Sequence, residues 1–117
     1  VIAINKIAFV ILLGLSVNAF ACNSDSVVWN DILECYMNDE KEQERKFNQA
    51  YQETLKRLPI VKKVALKKSQ RAWLIKMKNE CAEFNNQSLY GREGAFDVIQ
   101  CRINAMEQRT VFLINYR

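Results

Sequence analysis

Apolar residues recur at helical spacing along most of this chain. Trp29, Ile32, Leu33, Tyr36 and Met37 open the pattern as a short amphipathic stripe. The run from Asn38 to Lys46 is polar and mostly charged. Asp39 and Glu42 have the spacing of a capping box, which would mark a break and restart. No Gly or Pro interrupts the run, and Glu42 with Lys46 is a helical charge pair, so a continuous helix is favoured. Phe47, Tyr51, Leu55 and Leu58 resume the stripe. Pro59 pushes Leu58 out of helical geometry and suits the first turn of a following helix.

The second predicted helix runs from about Ile60 to Phe84. Leu66, Gln70, Trp73, Met77, Cys81 and Phe84 line one side, and Val61, Val64, Ala65, Ala72 and Ile75 broaden it. So wide an apolar face suits the middle of a bundle, with neighbours on two sides. Lys62, Lys63, Lys67, Lys68 and Arg71 make the remaining face basic. The stretch from Asn85 to Gly94 reads as a loop by composition. In the third predicted helix Phe96, Ile99, Ile103, Met106, Thr110 and Leu113 form the stripe, with Val98, Cys101, Ala105 and Phe112 beside it. The short connection at Pro59 makes the first two helices antiparallel neighbours. The expected fold is all-α: a three-helix antiparallel bundle, with no internal repeat and no trustworthy strand alternation.

The first residues change the picture of where this domain works. Lys6, the apolar run Ile7 to Leu15 and the small residues Ala19 and Ala21 have the layout of a cleaved signal peptide. The expected division is residues 1–21 as signal and residues 22–117 as one domain. Cleavage after Ala21 would expose Cys22 and invite lipidation. Ala19 and Phe20 match a lipoprotein box poorly, so Cys22 is read as half of a disulfide.

There are four cysteines, Cys22, Cys35, Cys81 and Cys101. An even number behind a signal peptide points to two disulfides in an oxidising compartment. Matching helix depths favours Cys35–Cys101 with Cys22–Cys81. The local pairing, Cys22–Cys35 with Cys81–Cys101, needs only short bends and stays open. In the chain-entropy view the longer loops would contribute on the order of 4 kcal/mol each.

Charge and chemistry narrow the function. The chain has net charge +4, and without Lys6 its 16 basic residues face 13 acidic ones, leaving +3. So mild a balance, in a secreted chain, does not call for nucleic acid. The chain has no histidine, so the commonest general base and metal ligand are missing. A zinc site would need all four cysteines at unusual gaps. No catalytic site, metal or cofactor is therefore expected. For partner binding the candidates are Trp29, near the start of the domain, the acids Asp39 and Glu40, and the basic residues Lys62, Lys63, Lys67 and Lys68. Trp73 and Arg71 are the residue types that dominate binding hot spots. Trp73 shares its stripe with Cys81, and Tyr51 continues the apolar stripe of the first helix, so both are read as core. Gln70 and Asn48 are read as making hydrogen bonds between helices.

Gln70-Arg71-Ala72-Trp73-Leu74 followed by Cys81 resembles the signature of the LprI-type lysozyme-inhibitor domain family, small secreted bacterial helical domains. Other pieces fall in the family's order. Phe47-Asn48-Gln49-Ala50-Tyr51 is similar to its Leu-Asn-x-x-Tyr, and Cys35 to its early cysteine. Leu66 with Gln70 matches its Leu-to-Gln spacing. Cys101 matches the late cysteine, and Arg109 with Leu113 the closing Arg-x-x-x-Leu. The chain departs from the family where Arg-Asp usually follows the tryptophan, having Met77-Lys78 instead. The family's Gly-Gly-Ser loop is reduced here to Gly91-Arg92-Glu93-Gly94.

The resemblance implies a periplasmic or secreted bacterial protein that binds a lysozyme-like glycosidase, or another envelope protein, by contact. A net positive chain gains no long-range steering toward a basic lysozyme, so an acidic patch from Asp39 to Glu44 would have to supply local complementarity. The alternative is a cell-envelope structural or interaction module, toxin-immunity proteins included. It would use the basic face of the second helix on peptidoglycan, an anionic membrane surface or a protein.

Overall fold

The structure is a computed structural model that describes Cys22 and residues 25–117. The expected signal peptide, residues 1–21, lies outside the described residues. Three long helices make the domain: α1 (Trp29–Arg57), α2 (Ile60–Ala82) and α4 (Gly94–Asn115). A 3-10 turn (Glu83–Asn85) and the short α3 (Gln87–Tyr90) join α2 to α4. No strand occurs among the described residues. The chain is therefore the expected antiparallel bundle, with one extra helical turn inside the predicted loop.

The charged run from Asn38 to Lys46 is helical throughout, as its lack of breakers predicts. Leu58 and Pro59 are extended, and they end α1 and start α2 as the proline requires. Ser26 lies two residues before Val28, the cap of α1, which has no side-chain cap bond. Its Oγ accepts from the Val28 amide at 3.1 Å and donates to the Asp31 carboxylate at 2.7 Å.

α1 and α4 run parallel and pack along most of their length. Trp29 meets Phe96 at one end, Glu40 meets Arg102 between, and Thr54 meets Leu113 at the other. The buried line of α1 is Gln43, Phe47, Ala50 and Thr54, steps of four, three and four. Three of these four are polar or small, so an apolar stripe does not reveal them. Their short or flexible side chains let α4 come close. Thr54 is 2% exposed and donates to the Leu113 carbonyl at 2.9 Å. Arg57 donates to the same carbonyl and to those of Ile114 and Tyr116. Together these contacts add side-chain donors to the carbonyls of the last turn of α4 and of Tyr116 just past it, where helical partners run out.

α2 runs antiparallel to α4 and closes the core. Leu66 and Leu113 are both 0% exposed and share a cluster with Phe47, Ala50, Leu58 and Met106. Burying a leucine of this kind contributes about 2 kcal/mol. The wide apolar face predicted for α2 divides in two. Leu66, Gln70, Met77 and Cys81 are buried. Val61, Val64, Ala65, Ala72 and Ile75 are exposed. Among the described residues they find no second neighbour, because α1 and α4 lie on the same side of α2.

The disulfides are Cys22–Cys35 and Cys81–Cys101, with Cα separations of 5.4 and 5.5 Å. This overturns the favoured Cys35–Cys101 and Cys22–Cys81. Cys35 and Cys101 do lie at similar depths in parallel helices. Depth alone cannot pair them, because facing matters too. Phe96 and Arg102 meet Trp29, Tyr36 and Glu40 of α1, while Cys101 lies elsewhere around α4 and meets Cys81 of α2. Cys22 folds back beside α1, where its Sγ lies 3.9 Å from the Ile32 carbonyl.

The connection into α4 is tight. Gly91 has φ +64°, a left-handed conformation that ends α3 and favours glycine. A Cβ on Gly94 would collide with the Phe84 carbonyl oxygen. Both glycines of the shortened family loop thus have backbone tasks.

Peptide mapping without reductant should recover Cys22–Cys35 and Cys81–Cys101 peptides and no others. Replacing Cys81 and Cys101 together by Ser should lower unfolding free energy by about 3 kcal/mol, since the closed loop is short. Urea denaturation of the variant checks the magnitude.

Candidate partner-binding surface

The family-type residues converge on one knot. The Arg109 Nε donates to the Gln70 Oε1 at 3.0 Å, and its terminal nitrogen donates to the Ser69 Oγ at 2.9 Å. The same guanidinium lies 5.6 Å from the Trp73 ring centroid and 4.1 Å from that of Phe112. Trp73 in turn packs on Phe47, with ring centroids 5.1 Å apart. A planar cation that bonds at its edge and stacks on its faces is a use to which arginine is suited and lysine is not. Burial lowers the pKa of Arg109, yet arginine keeps its charge in proteins. Gln70 is 4% exposed and its Nε2 has no acceptor among the described residues. The Oε1 bond to Arg109 therefore holds this amide.

The knot ties α2 to α4 and rests on α1. Leu66 and Leu113 lie just beside it, fully buried. Phe47, Leu66, Gln70 and Leu113 are thus buried in the bundle, Trp73 and Arg109 are half-buried beside them, and Tyr51 packs against the same cluster. Arg71 points away, exposed, and donates to the Lys67 carbonyl at 3.4 Å. Asn48 is exposed and, among the described residues, makes none of the hydrogen bonds expected of it between helices. Its position on α1 lies beyond the buried Phe47, on the open side of a groove.

That groove lies between α1 and α2, with α4 beneath. Its volume is about 390 Å³. Phe47, Leu74, Met77 and Met106 supply apolar walls, and Met77 is 6% exposed. Glu44, Asn48 and Lys78 are exposed around the opening. Glu40 also lines it, paired with Arg102 of α4 at 2.9 Å. The groove therefore combines flexible methionine and aromatic surface with charges of both signs, a makeup suited to holding a protein side chain. The family-atypical Met77 and Lys78 both belong to it. Of the two acids expected at a partner surface, Glu40 lines the groove and Asp39 does not, and Arg102, Leu74 and Met106 join it without having been partner-binding candidates. Their only signal was the facing of three helices, which spacing on one helix does not reveal.

The remaining candidates lie apart from the groove. Trp29 is half-buried at the opposite end of α1 from Pro59, with Phe96 at 5.6 Å and the Arg92 guanidinium 4.9 Å from its ring. Tyr36 stacks on the same Phe96 at 5.1 Å. Lys62, Lys67 and Lys68 are exposed on α2, and Lys63 is half-buried. Acidic charge on α1 is partly spent locally, because Glu42 is held by Arg45 at 2.7 Å. That hydrogen bond draws the Glu42 carboxyl below its usual pKa. Among the described residues no group of His, Cys, Asp or Glu is placed to hold a metal ion.

Replacing Arg109 by Lys should cost about 1–3 kcal/mol of stability, since the buried Gln70 carbonyl loses a fitted donor. Gln70→Leu should cost less, because it removes an amide that is only half satisfied. Chemical denaturation of the two variants checks the order.

Neither a curated protein nor a solved structure matches this chain. A family model does match. It is described as lysozyme inhibitor LprI and covers residues 22–113, which include both disulfides, the Arg109 knot and the groove. The chain belongs to the LprI lysozyme inhibitor family.

Proposed function

We propose that this protein binds a lysozyme-type glycosidase outside the cytoplasm and blocks it by contact, with no chemistry of its own. The family match over residues 22–113 carries the reading. Two disulfides support an oxidising compartment. Residues 1–21 are assigned as the export signal and residues 22–117 as the working domain. No helix among the described residues is long and apolar enough to cross a membrane.

The groove between α1 and α2 is the surface assigned to the glycosidase. Its apolar walls can receive an anchoring side chain, as central pockets of interfaces do. Glu44 at its edge, with Asp39 elsewhere on α1, offers negative charge to a basic partner, while Glu40 in the wall is already paired with Arg102. The net charge of residues 22–117, with 16 basic and 13 acidic residues, is +3 and opposes long-range steering toward such a partner, so the attraction must be local and short-ranged. Lys78 opposite Glu44 restricts which partner surface fits.

The test is lysis of bacterial cell walls by a panel of lysozyme-type enzymes, with purified protein titrated in. At least one enzyme should be inhibited, more tightly at low than at high ionic strength. Glu44→Lys should weaken that inhibition by about tenfold, mostly through slower association. Inhibition of none of the enzymes would sink the proposal.

A further inference from the structure

α2 carries a second apolar line that the bundle leaves uncovered. Val61, Val64, Ala72 and Ile75 form it, with the cationic Lys68 set between Val64 and Ala72, at steps of three, four, four and three. They lie on the side opposite Leu66, Gln70, Trp73 and Met77. Val61 is 80% exposed, Val64 64% and Ile75 62%, and Ile60 at the start of the helix is 78% exposed. From Ile60 to Ile75 the line is about 22 Å long. Scattered surface aliphatics need no explanation, but an ordered line of them on one helix marks a contact surface.

Charge decides what covers it. α2 has seven basic residues, Lys62, Lys63, Lys67, Lys68, Arg71, Lys76 and Lys78, and one acidic residue, Glu80. Glu80 is paired with Lys76 at 3.7 Å. A second copy of the chain, docking α2 on α2, would bring two such cationic faces together and repel. The line also lacks the aromatic anchors on which protein interfaces are built. Short aliphatic side chains interleaved with long cationic ones suit another surface. At a bilayer the aliphatic groups reach the acyl boundary while lysine and arginine stems extend to the phosphates.

We propose that the outer face of α2 lies on an anionic lipid bilayer. Val61, Val64 and Ile75 enter the interface, and Lys68 and Arg71 contact the headgroups. The helix lies in the membrane plane, with the α1–α2 groove left free for its own partner. The face would hold the protein near the envelope without an anchor crossing the membrane. This reading stands independently of the glycosidase assignment.

Vesicle flotation of the exported protein tests it, with neutral phosphatidylcholine vesicles beside vesicles containing phosphatidylglycerol. At low salt the anionic vesicles should carry several times more protein than the neutral ones. Two double variants, Val64→Asp with Ile75→Asp and Lys68→Glu with Arg71→Glu, should each reduce that binding by about fivefold or more. These side chains are exposed, so circular dichroism and melting temperature should stay unchanged. Glu44→Lys should leave vesicle binding intact, which separates this surface from the groove. Equal binding to both vesicle types, or unchanged binding in both double variants, overturns the proposal. So does a double variant that loses glycosidase inhibition but keeps vesicle binding, since the face would then belong to a protein partner.

Discussion

α2 is held to the rest of the molecule along a single line of side chains: Leu66, Gln70, Trp73, Met77 and Cys81. Each link in that line is of a different kind. Leu66 is buried in the apolar cluster, and Gln70 accepts a charge-assisted hydrogen bond from Arg109. Trp73 packs on Phe47, and Cys81 is bonded covalently to Cys101. Because the attachment is one-sided, α2 stands as a wall rather than a central post. A groove opens where it meets α1, and its outer surface faces solvent. Both surfaces assigned to partners are products of this one arrangement.

The residues by which the chain resembles its family are mostly those of the attachment. Leu66, Gln70, Arg109 and Leu113 are buried or half-buried and touch one another through the knot and the cluster beside it. A motif of this type reports that the fold is the same. It says little about which partner is bound, because its side chains are committed to each other. Of the departures, Lys78 is exposed at the groove, where the surface can change while the attachment stays, and Met77 is buried, lining the groove from within the attachment itself. That division fits a domain whose specificity resides in its rim and whose stability resides in its knot.

The helices were legible in the sequence because their apolar spacing and the single proline act locally. Continuity of α1 through the charged run was legible for the same reason, since nothing there breaks a helix. Three features were not. Gln43 and Thr54 are buried in α1 although they are polar, because α4 offers close packing and, to Thr54, a carbonyl. Val61, Val64 and Ile75 are exposed although they are apolar, because no second neighbour meets them among the described residues. The cysteine pairing depends on the rotation of each helix about its axis. Counting residues from a helix start gives depth and leaves that rotation open.

The bond between Cys81 and Cys101 has a topological consequence. It joins α2 to α4 on the far side of the turn, so residues 82–100 form part of a closed covalent ring. A protease that cut the exposed segment around Leu89 would nick the ring without releasing either helix. The same ring relieves this segment of the task of connecting the bundle mechanically. It is a natural place for such domains to accept changes in loop length, provided that the close approach of Gly94 to Phe84 is kept.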